Sequence, residues 1–204
     1  MKLYLIRHGE SQANANHFFV GHTDVDLTEK GYKQAKETAK YLKDIPVDKI
    51  YASDLIRAYH TAEETAKLKN MPIEKNTGLR ELYCGKLECL PRDELIEKHP
   101  EFMEVWCNDI KNTKCESGES VKDLYQRIVK TITEIAQNNP DKTVFIFSHA
   151  TAIRCFIAYC LKGFDEINNL PWACNASVSE VDYIDGKFNV VVYGYNEFME
   201  DKTI

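Results

Sequence analysis

The 204-residue sequence contains no apolar run close to the roughly 18 residues that a membrane-spanning helix needs. Basic residues are not in excess, since 26 lysines and arginines accompany 32 aspartates and glutamates and the formal net charge is −6. This balance disfavours general binding to nucleic acids or anionic membranes, although a local basic pocket remains compatible with it. The first residues also lack the pattern of a signal peptide, so we expect a cytoplasmic protein.

Paired cysteine motifs are absent as well. The seven cysteines are odd in number and form no Cys-x-x-Cys pair, which disfavours a disulfide framework or a zinc site and favours reduced thiols. Internal repeats, low-complexity tracts and Gly/Ser linkers are also missing. We therefore predict a single domain over residues 1–204, as a monomer or a homodimer.

Three segments share one order of residue types: an apolar run, then small and polar residues, then a helical pattern. "LYLI" leads into "RHGES", "KIYA" into "SDLIRAYHTA", and "TVFIF" into "SHATAIRC". Strands that alternate with helices predict a mostly parallel sheet covered by helices on both faces. In such sheets, ligands bind beyond the carboxyl ends of the strands and close to helix N-termini. The polar residues after the three strands should therefore meet at one edge.

Start and stop signals delimit several helices. Thr28 is a predicted N-cap, Ser120 begins a capping box, and Glu10 is predicted to cap the helix after the first strand. Gly163 is predicted to end the helix that follows "SHA", and Asp185-Gly186 predicts a hairpin turn. The predicted buried face of the helix after Ser53 consists of Leu55, Ala58, Ala62 and Leu68.

The region of residues 84–118 interrupts the alternation of strands and helices. It carries helical material, "RDELIEKHPEFMEVWCNDI", without a convincing strand. We interpret it as a small helical cap insertion folded over the predicted edge; the alternative is a solvated helical excursion that does not contact the site. Its apolar residues are candidates for an apolar substrate pocket or for packing the cap onto the body: Phe102, Met103, Val105 and Trp106.

Two arginines and two histidines are expected to meet at the edge of the sheet. The guanidinium groups of Arg7 and Arg57 suit a bidentate grip on a phosphoryl group. Their charges oppose protonation of His8, and a neutral imidazole directed at phosphorus is a nucleophile. His149 can donate to the phosphoryl oxygens and stabilise their charge. This set predicts a covalent phosphohistidine that water then hydrolyses.

A leaving alkoxide also needs a proton, and Glu81 in "GLRELYCGKLE" is the candidate donor. A bound phosphate dianion disfavours the ionised carboxylate, so the acid form can donate and later accept a proton from attacking water. An acid of this kind contributes roughly 10² to 10⁴ in rate. Glu88 is a weaker candidate for the same role.

These residues lie in a series of motifs that resembles the histidine phosphatase superfamily, the phosphoglycerate mutase-like proteins, in its phosphatase branch. The resemblance covers nearly the whole chain. In chain order, the matching blocks are "RHGES" with Asn14, "GHTDVDLTEKG", "SDLIRAYHTA", "LRELYCGKLE", "SGES" and "SHATAIR".

The resemblance implies an α/β fold, a three-layer α/β/α sandwich with a mostly parallel sheet and one antiparallel strand. It implies that His8 is phosphorylated and that neither a metal nor another cofactor takes part. The implied phosphate pocket comprises Arg7, Arg57, His149, Asn14 and the backbone near Ala150. Gly21 and His22 are added as possible residues of the pocket edge.

Two positions depart from the pattern of the family. Many relatives have glycine where this chain has Cys89, and a positive φ there would strain a cysteine and require a differently built loop. Many relatives also have glycine at the position of Ala150. Alanine keeps the backbone N–H, so a contact with a phosphoryl oxygen can survive.

The cap favours a phosphatase over a mutase. Mutases of the family carry an Arg-Arg pair that retains a second phosphate, whereas this cap holds only Arg92 and scattered lysines, with residues 104–109 at the expected place. We therefore predict a histidine acid-type phosphatase, a metal-independent phosphomonoesterase that hydrolyses a small phosphorylated metabolite. The alternatives are a bisphosphoglycerate-dependent phosphoglycerate mutase, a non-catalytic binder of phosphorylated ligands, and a metal-dependent phosphohydrolase using His22, Asp24 and Asp26.

Overall fold

The structure is a computed structural model that describes residues 1–202. A six-stranded sheet in the order β4-β3-β6-β1-β7-β8 forms its centre. The strands are β1 (Lys2–Arg7), β3 (Lys49–Ala52), β4 (Ile73–Lys75), β6 (Thr143–Ser148), β7 (Val178–Ile184) and β8 (Lys187–Tyr195). Strand β7 runs antiparallel to both of its neighbours and the other pairings are parallel. The predicted mostly parallel sheet with one antiparallel strand is thus confirmed.

Helices cover both faces of this sheet. They are α1 (Gln12–Ala15), α2 (Glu29–Tyr41), α3 (Ile56–Lys69), α4 (Arg92–Lys98), α5 (Pro100–Asn108), α6 (Val121–Gln137) and α7 (Ala150–Leu161). Successive side chains of β1 alternate between two cores, because a strand directs neighbouring residues to opposite faces. Leu3 and Leu5 pack in the core that contains residues of α6 and α7, whereas Tyr4 and Ile6 pack with alanines of α3. This alternation produces the predicted three-layer sandwich.

Most of the predicted helix and turn signals are confirmed. Thr28 accepts a hydrogen bond from the Gly31 N–H at the start of α2, and Ser120 forms the capping box of α6 with Asp123. The N–H of Gly163 donates to the Ala158 carbonyl at the end of α7. The turn between β7 and β8 has a φ of 50° at Asp185 and 76° at Gly186, so two left-handed residues reverse the chain there.

Two local predictions were wrong. Leu68 is 49% exposed, and Ala66 takes its predicted place on the buried face of α3 after Ala58 and Ala62. Leu68 is rotated about 200° around the helix axis from Ala66 and therefore faces away from the core. Glu10 does not cap α1, which instead begins at the Ser11 N-cap. The Glu10 carbonyl and carboxylate both accept from Thr28 at the start of α2, so this residue joins the end of β1 to the second helix.

The segment 84–118 contains a short strand that the sequence did not indicate. Strand β5 (Leu90–Pro91) pairs antiparallel with β2 (Phe18–Phe19), which fastens the segment to the chain just after α1. The Cys89 N–H donates to the Phe19 carbonyl at 2.8 Å, and this contact is made with Cys89 at a φ of 62°. A left-handed conformation costs a residue with a side chain about 1–2 kcal/mol, so Cys89 carries the strain that a glycine would avoid.

No helix within residues 1–202 combines the length and the apolar character needed to cross a bilayer.

Candidate active site

The ends of three strands meet at one edge of the sheet. His8 follows β1, His149 follows β6, and Ser53 follows β3. The His8 N–H donates to the Ser148 carbonyl at 3.0 Å, and the Ser53 N–H donates to the Phe147 carbonyl at 2.9 Å. These bonds extend the ladders of the sheet and bring the rings of His8 and His149 to a centroid distance of 5.2 Å.

A cavity of about 290 Å³ opens at this edge. Six of the residues predicted for the site line it: Arg7, His8, Asn14, Arg57, Glu81 and Ala150. The other lining residues come from the start of α1, from β2 and the residue after it, from the segment 84–118, from the start of α7 and from two loops: Ser11, Phe18, Phe19, Val20, Cys84, Arg92, Trp106, Thr151, and Leu82 and Trp172 in the loops. The segment predicted to be a cap therefore contributes Cys84, Arg92 and Trp106 to the wall of the cavity.

One hydrogen bond determines the tautomer of the His8 ring. Its Nδ1 lies 2.7 Å from the Gly9 carbonyl, which can only accept, so Nδ1 carries the proton and Nε2 carries the lone pair. Burial, followed by the charges of Arg57 and Arg7, holds the pKa of His8 well below its usual 6.5. The ring is therefore neutral at physiological pH, with an unprotonated Nε2.

Gly9 and Asn175 hold this tautomer in place. A Cβ on Gly9 would lie 2.5 Å from the Gly31 carbonyl oxygen, so only glycine permits this close approach of β1 to α2. The side-chain NH₂ of Asn175 donates to the carbonyls of His8 and Gly9 at 3.1 and 3.3 Å. Asn175 was missed in the sequence, because it follows no strand and belongs to none of the recognised motifs.

Arg7 and Arg57 are buried cations without a carboxylate partner. Arg7 donates to the Ala173 carbonyl at 2.6 Å, and Arg57 donates to the carbonyls of Gly21 and Thr23 at 2.7 and 3.1 Å. Within residues 1–202, neither side chain has a carboxylate oxygen within 4.0 Å, and the Nε of each is buried without a hydrogen-bond acceptor. Burial lowers the pKa of Arg7 to about 10, which still leaves it charged at neutral pH. Glu81, which lines the same cavity, exerts the main opposing charge effect on the pKa of both guanidinium groups, and a bound anion would add the direct partner that they lack.

His149 lies fully buried behind His8 and is not among the residues that line the cavity. Its Nε2 lies 2.8 Å from the Ser53 hydroxyl, whose oxygen also accepts the Leu55 N–H at 3.3 Å. A hydroxyl that already accepts is free to donate its proton to Nε2, and Nδ1 then carries the other proton. This Nδ1 is buried without a partner in the described part of the chain, so it is available to donate to an anion.

Asn14 and Ala150 complete the predicted phosphate pocket. The Asn14 side-chain oxygen accepts from the N–H and the hydroxyl of Ser11, each at 3.0 Å, which leaves its NH₂ group as the donor for a ligand. Ala150 is the first residue of α7, where a backbone N–H has no partner within the helix. Both residues can therefore donate hydrogen bonds to a phosphoryl group.

Gly21 and His22 were predicted at the edge of the pocket, but neither lines the cavity. A Cβ on Gly21 would lie 1.9 Å from the Leu82 carbonyl oxygen, so the two loops pack too closely for a side chain to reach the ligand. Instead, the Gly21 carbonyl binds Arg57 and the His22 Nε2–H donates to the Glu81 carbonyl at 2.9 Å. These residues support the cavity from behind.

Glu81 is the glutamate at the cavity, and Glu88 is not. One Glu81 oxygen accepts from the Leu82 N–H at 2.8 Å and the other from the Thr151 N–H at 3.0 Å, which fixes the carboxyl group beside the start of α7. Burial tends to raise the pKa of Glu88, but hydrogen bonds from Thr23, His22 and Cys84 outweigh it and lower that pKa. Glu88 is thus an ionised anchor for the loop that binds Arg57, and Glu81 fits the acid role better.

The three residues considered for a metal are used elsewhere. Asp24 accepts from the Ile56 N–H at 2.6 Å, Asp26 pairs with His60 at 2.7 Å, and His22 binds Glu81. Across residues 1–202, no group of three or more His, Cys, Asp and Glu side chains is arranged to hold a metal ion.

The buried neutral histidines predict a pH-dependent stability. The pKa values of His8 and His149 lie well below 6.5 in the folded protein, so between these values and about pH 6.5 the unfolded state binds more protons. Stability is therefore fully present above about pH 6.5 and is lost as the pH falls, by up to about 1.4 kcal/mol per pH unit for each histidine.

Urea unfolding between about pH 5 and pH 7.5 measures this slope. His8→Asn removes the titrating ring and keeps a donor for the Gly9 carbonyl. We therefore expect the slope of its free energy of unfolding against pH to be smaller by up to about 1.4 kcal/mol per pH unit, the contribution of one proton. Equal slopes for His8→Asn and the wild type would contradict a neutral, buried His8.

Comparison with known proteins places this geometry in a family. The family described as histidine phosphatase superfamily (branch 1) matches residues 3–196. The protein "Phosphoserine phosphatase 1" of Hydrogenobacter thermophilus is 32% identical over 94% of this chain and 90% of its own length. "Probable phosphoglycerate mutase GpmB" of Escherichia fergusonii is 31% identical over 92% of this chain and 87% of its own. The solved structure "Bacillus stearothermophilus YhfR" is 28% identical, with a TM-score of 0.92 over 97% of this chain and 98% of that one.

Proposed function

The chain belongs to the histidine phosphatase superfamily, and from this premise we propose that it is a metal-independent phosphomonoesterase acting through a phosphohistidine on a small phosphorylated metabolite. The observation that carries the proposal is that one cavity combines buried positive charges with a neutral imidazole. Arg7 and Arg57 are buried cations that lack a carboxylate oxygen within 4.0 Å among the described residues, and His8 in the same cavity is neutral with an unprotonated Nε2. The arginines suit an anion, and the imidazole suits attack on its phosphorus atom.

The first step is transfer of the phosphoryl group to His8. The Nε2 lone pair attacks phosphorus, the bond from phosphorus to the ester oxygen breaks, and the electron pair leaves with that oxygen. Arg7, Arg57 and Asn14 bind the phosphoryl oxygens, and the His149 Nδ1–H donates to them as their charge changes. Glu81 donates its proton to the departing oxygen. The alcohol then leaves and the phosphoryl group remains on nitrogen.

The second step returns the enzyme to its starting state. Water attacks the phosphorus of the phosphohistidine while the Glu81 carboxylate accepts a proton from it. The bond from phosphorus to Nε2 breaks, and its electron pair goes back to the imidazole. Because burial and Arg57 disfavour a positively charged ring, the neutral imidazole is a good leaving group in this cavity. Inorganic phosphate is the product.

The cavity favours water over a second phosphorylated group as the acceptor. Beside Arg7 and Arg57, its only lining cation among the described residues is Arg92, and much of the remaining wall is aromatic, including Trp106 and Trp172. A volume of about 290 Å³ lies at the small end of ligand pockets, which supports a small metabolite as the substrate. Phosphoserine, which the name of one relative mentions, is a natural first candidate.

The free thiols support a place in the cytoplasm. All seven cysteines are unpaired, and such thiols persist in reducing compartments.

A panel of phosphorylated metabolites tests the function. Phosphoserine, phosphoglycerates, sugar phosphates and p-nitrophenyl phosphate are incubated with the protein, with and without EDTA, and released phosphate is measured. We expect turnover of at least one small alkyl phosphate and of p-nitrophenyl phosphate, at the same rate in EDTA. Loss of activity in EDTA would contradict metal independence. Bisphosphoglycerate-dependent interconversion of phosphoglycerates faster than phosphate release would identify a mutase, and binding without turnover on the whole panel would identify a non-catalytic protein.

A further inference from the structure

Arg127 of α6 has no direct role in the proposed reaction, yet it is tied to the segment that carries Glu81. Its Nη1 donates to the carbonyls of Gly78 and Arg80 at 3.0 and 2.9 Å, and its Nη2 donates to the Glu81 carbonyl at 2.9 Å. Three carbonyls of one short stretch of backbone therefore converge on a single guanidinium group.

Glu119, which lies just before α6, holds both Arg127 and the same stretch. Its two oxygens accept from the Arg127 Nε and Nη2 at 2.9 and 2.7 Å, the bidentate geometry that gives strong, directional pairs. The Glu119 carboxylate also accepts from the Tyr83 N–H at 3.0 Å, and the Glu119 N–H donates to the Tyr83 carbonyl at 2.8 Å. The pair thus binds five backbone groups of residues 78–83.

This stretch has little regular structure to hold it. After the 3-10 turn Thr77–Leu79, residues 80–84 belong to neither a helix nor a strand. Buried backbone groups need partners, and in this stretch side chains supply several of them. The conformation of the backbone around Glu81 therefore depends on Arg127 and Glu119.

One peptide unit links this support to the carboxyl group. The Glu81 carbonyl and the Leu82 N–H belong to the same planar peptide and point in opposite directions. The Glu81 carbonyl is held by Arg127 and by His22, each at 2.9 Å. The Leu82 N–H in turn donates to the Glu81 carboxyl at 2.8 Å. Holding the carbonyl thus also orients the N–H that fixes the carboxyl group.

We propose that Arg127 and Glu119 are positioning residues that orient the peptide between Glu81 and Leu82, so that the Glu81 carboxyl faces the leaving oxygen of the substrate. This inference rests on the role of Glu81 proposed above. A simple structural brace would instead lower activity on all substrates alike, since it would reduce only the fraction of folded protein. A positioning role therefore predicts a loss of activity that depends on the leaving group, whereas a structural brace predicts a loss that does not.

The test uses Arg127→Lys, which keeps the charge and loses the fork, and Glu119→Gln, which keeps the shape and loses the charge. We measure kcat/KM, which covers the steps up to departure of the leaving group, on p-nitrophenyl phosphate, whose leaving group needs little protonation, and on the alkyl phosphate that the wild type hydrolyses best. The ratio of alkyl to aryl kcat/KM is expected to fall roughly 10- to 100-fold in both variants, as for a misplaced catalytic group. Ile128→Val, a buried change one residue further along α6, is the control and should keep the wild-type ratio.

A second measurement combines the variants with Glu81→Gln. If Arg127 acts through Glu81, Arg127→Lys lowers the ratio no further once the acid is gone, so the two effects are strongly non-additive. Circular dichroism and urea unfolding check that each variant is folded. A uniform loss on both substrates, or an additive double variant, would overturn the inference and leave the role of Glu81 intact. A Glu81→Gln protein with an unchanged ratio would overturn both.

Discussion

His8→Ala is expected to lower kcat for every phosphomonoester by about 10⁴- to 10⁶-fold, the loss that follows removal of a nucleophile. The structure supplies the physical reason. The His8 Nδ1 donates to the Gly9 carbonyl, so Nε2 has the lone pair, and burial with Arg57 and Arg7 keeps the ring neutral. An alanine leaves the arginines to bind the substrate but removes the atom that would attack it, so binding should persist while turnover disappears.

Trapping the intermediate makes this expectation specific. Rapid mixing with a substrate labelled in its phosphoryl group, followed by alkaline quenching, should yield a labelled protein whose label is lost in acid and maps to residue 8. His60→Asn is the matched control, since His60 is a half-buried histidine bonded to Asp26 outside the cavity. Label at another residue, or turnover by His8→Ala within tenfold of the wild type, would contradict the phosphohistidine.

Glu81→Gln is expected to have the second largest effect, and one that depends on the leaving group. The amide keeps the size of the side chain but cannot donate the proton that an alkoxide needs on departure. We expect roughly a 10²- to 10⁴-fold loss of kcat/KM on an alkyl phosphate, the usual contribution of a general acid. On p-nitrophenyl phosphate the loss of kcat/KM should stay below about tenfold, because its leaving group departs as a stable anion. The later hydrolysis of the phosphohistidine, in which Glu81 acts as the base, does not enter kcat/KM.

Two other glutamates serve as controls for this experiment. Glu101→Gln, on the exposed side of α5, should leave both rates unchanged. Glu88→Gln weakens the anchor of residues 22–23 and thereby the loop that binds Arg57, so its loss should be similar on both substrates. Similar losses on both substrates for Glu81→Gln as well would remove this residue from the acid role.

Much of the fold and the convergence of the candidate site could be predicted, since both follow from local patterns. Apolar runs, capping residues and turn residues act within a few positions of the chain, and they located β1, β3, β6 and the helices that follow them. A parallel sheet then brings the carboxyl ends of its strands to one edge whatever the length of chain between them. The proximity of His8 and His149 follows from this rule.

Local patterns did not separate Glu81 from Glu88, and the preference for Glu81 came from its place in the block "LRELYCGKLE" that resembles the family. They are seven residues apart in one irregular stretch, and both are glutamates with similar surroundings in the sequence. The difference lies in their partners, because Glu81 binds the start of α7 at Thr151, whereas Glu88 binds residues 22 and 23. Neither set of contacts is local, so no periodicity records it.

The amino-acid sequence by itself therefore determined most strands of the central sheet, most of the helices, their order and the cluster of cations and imidazoles at one edge, because short-range patterning and sheet geometry suffice for these. The tertiary structure alone decided which histidine nitrogen has the lone pair, that Gly21 and His22 lie behind the cavity, and that Cys89 adopts a left-handed conformation against β2. It also showed that Arg127 and Glu119 hold the backbone around Glu81. Each of these features depends on a hydrogen bond or a close approach between atoms, and such contacts form only when the chain has folded.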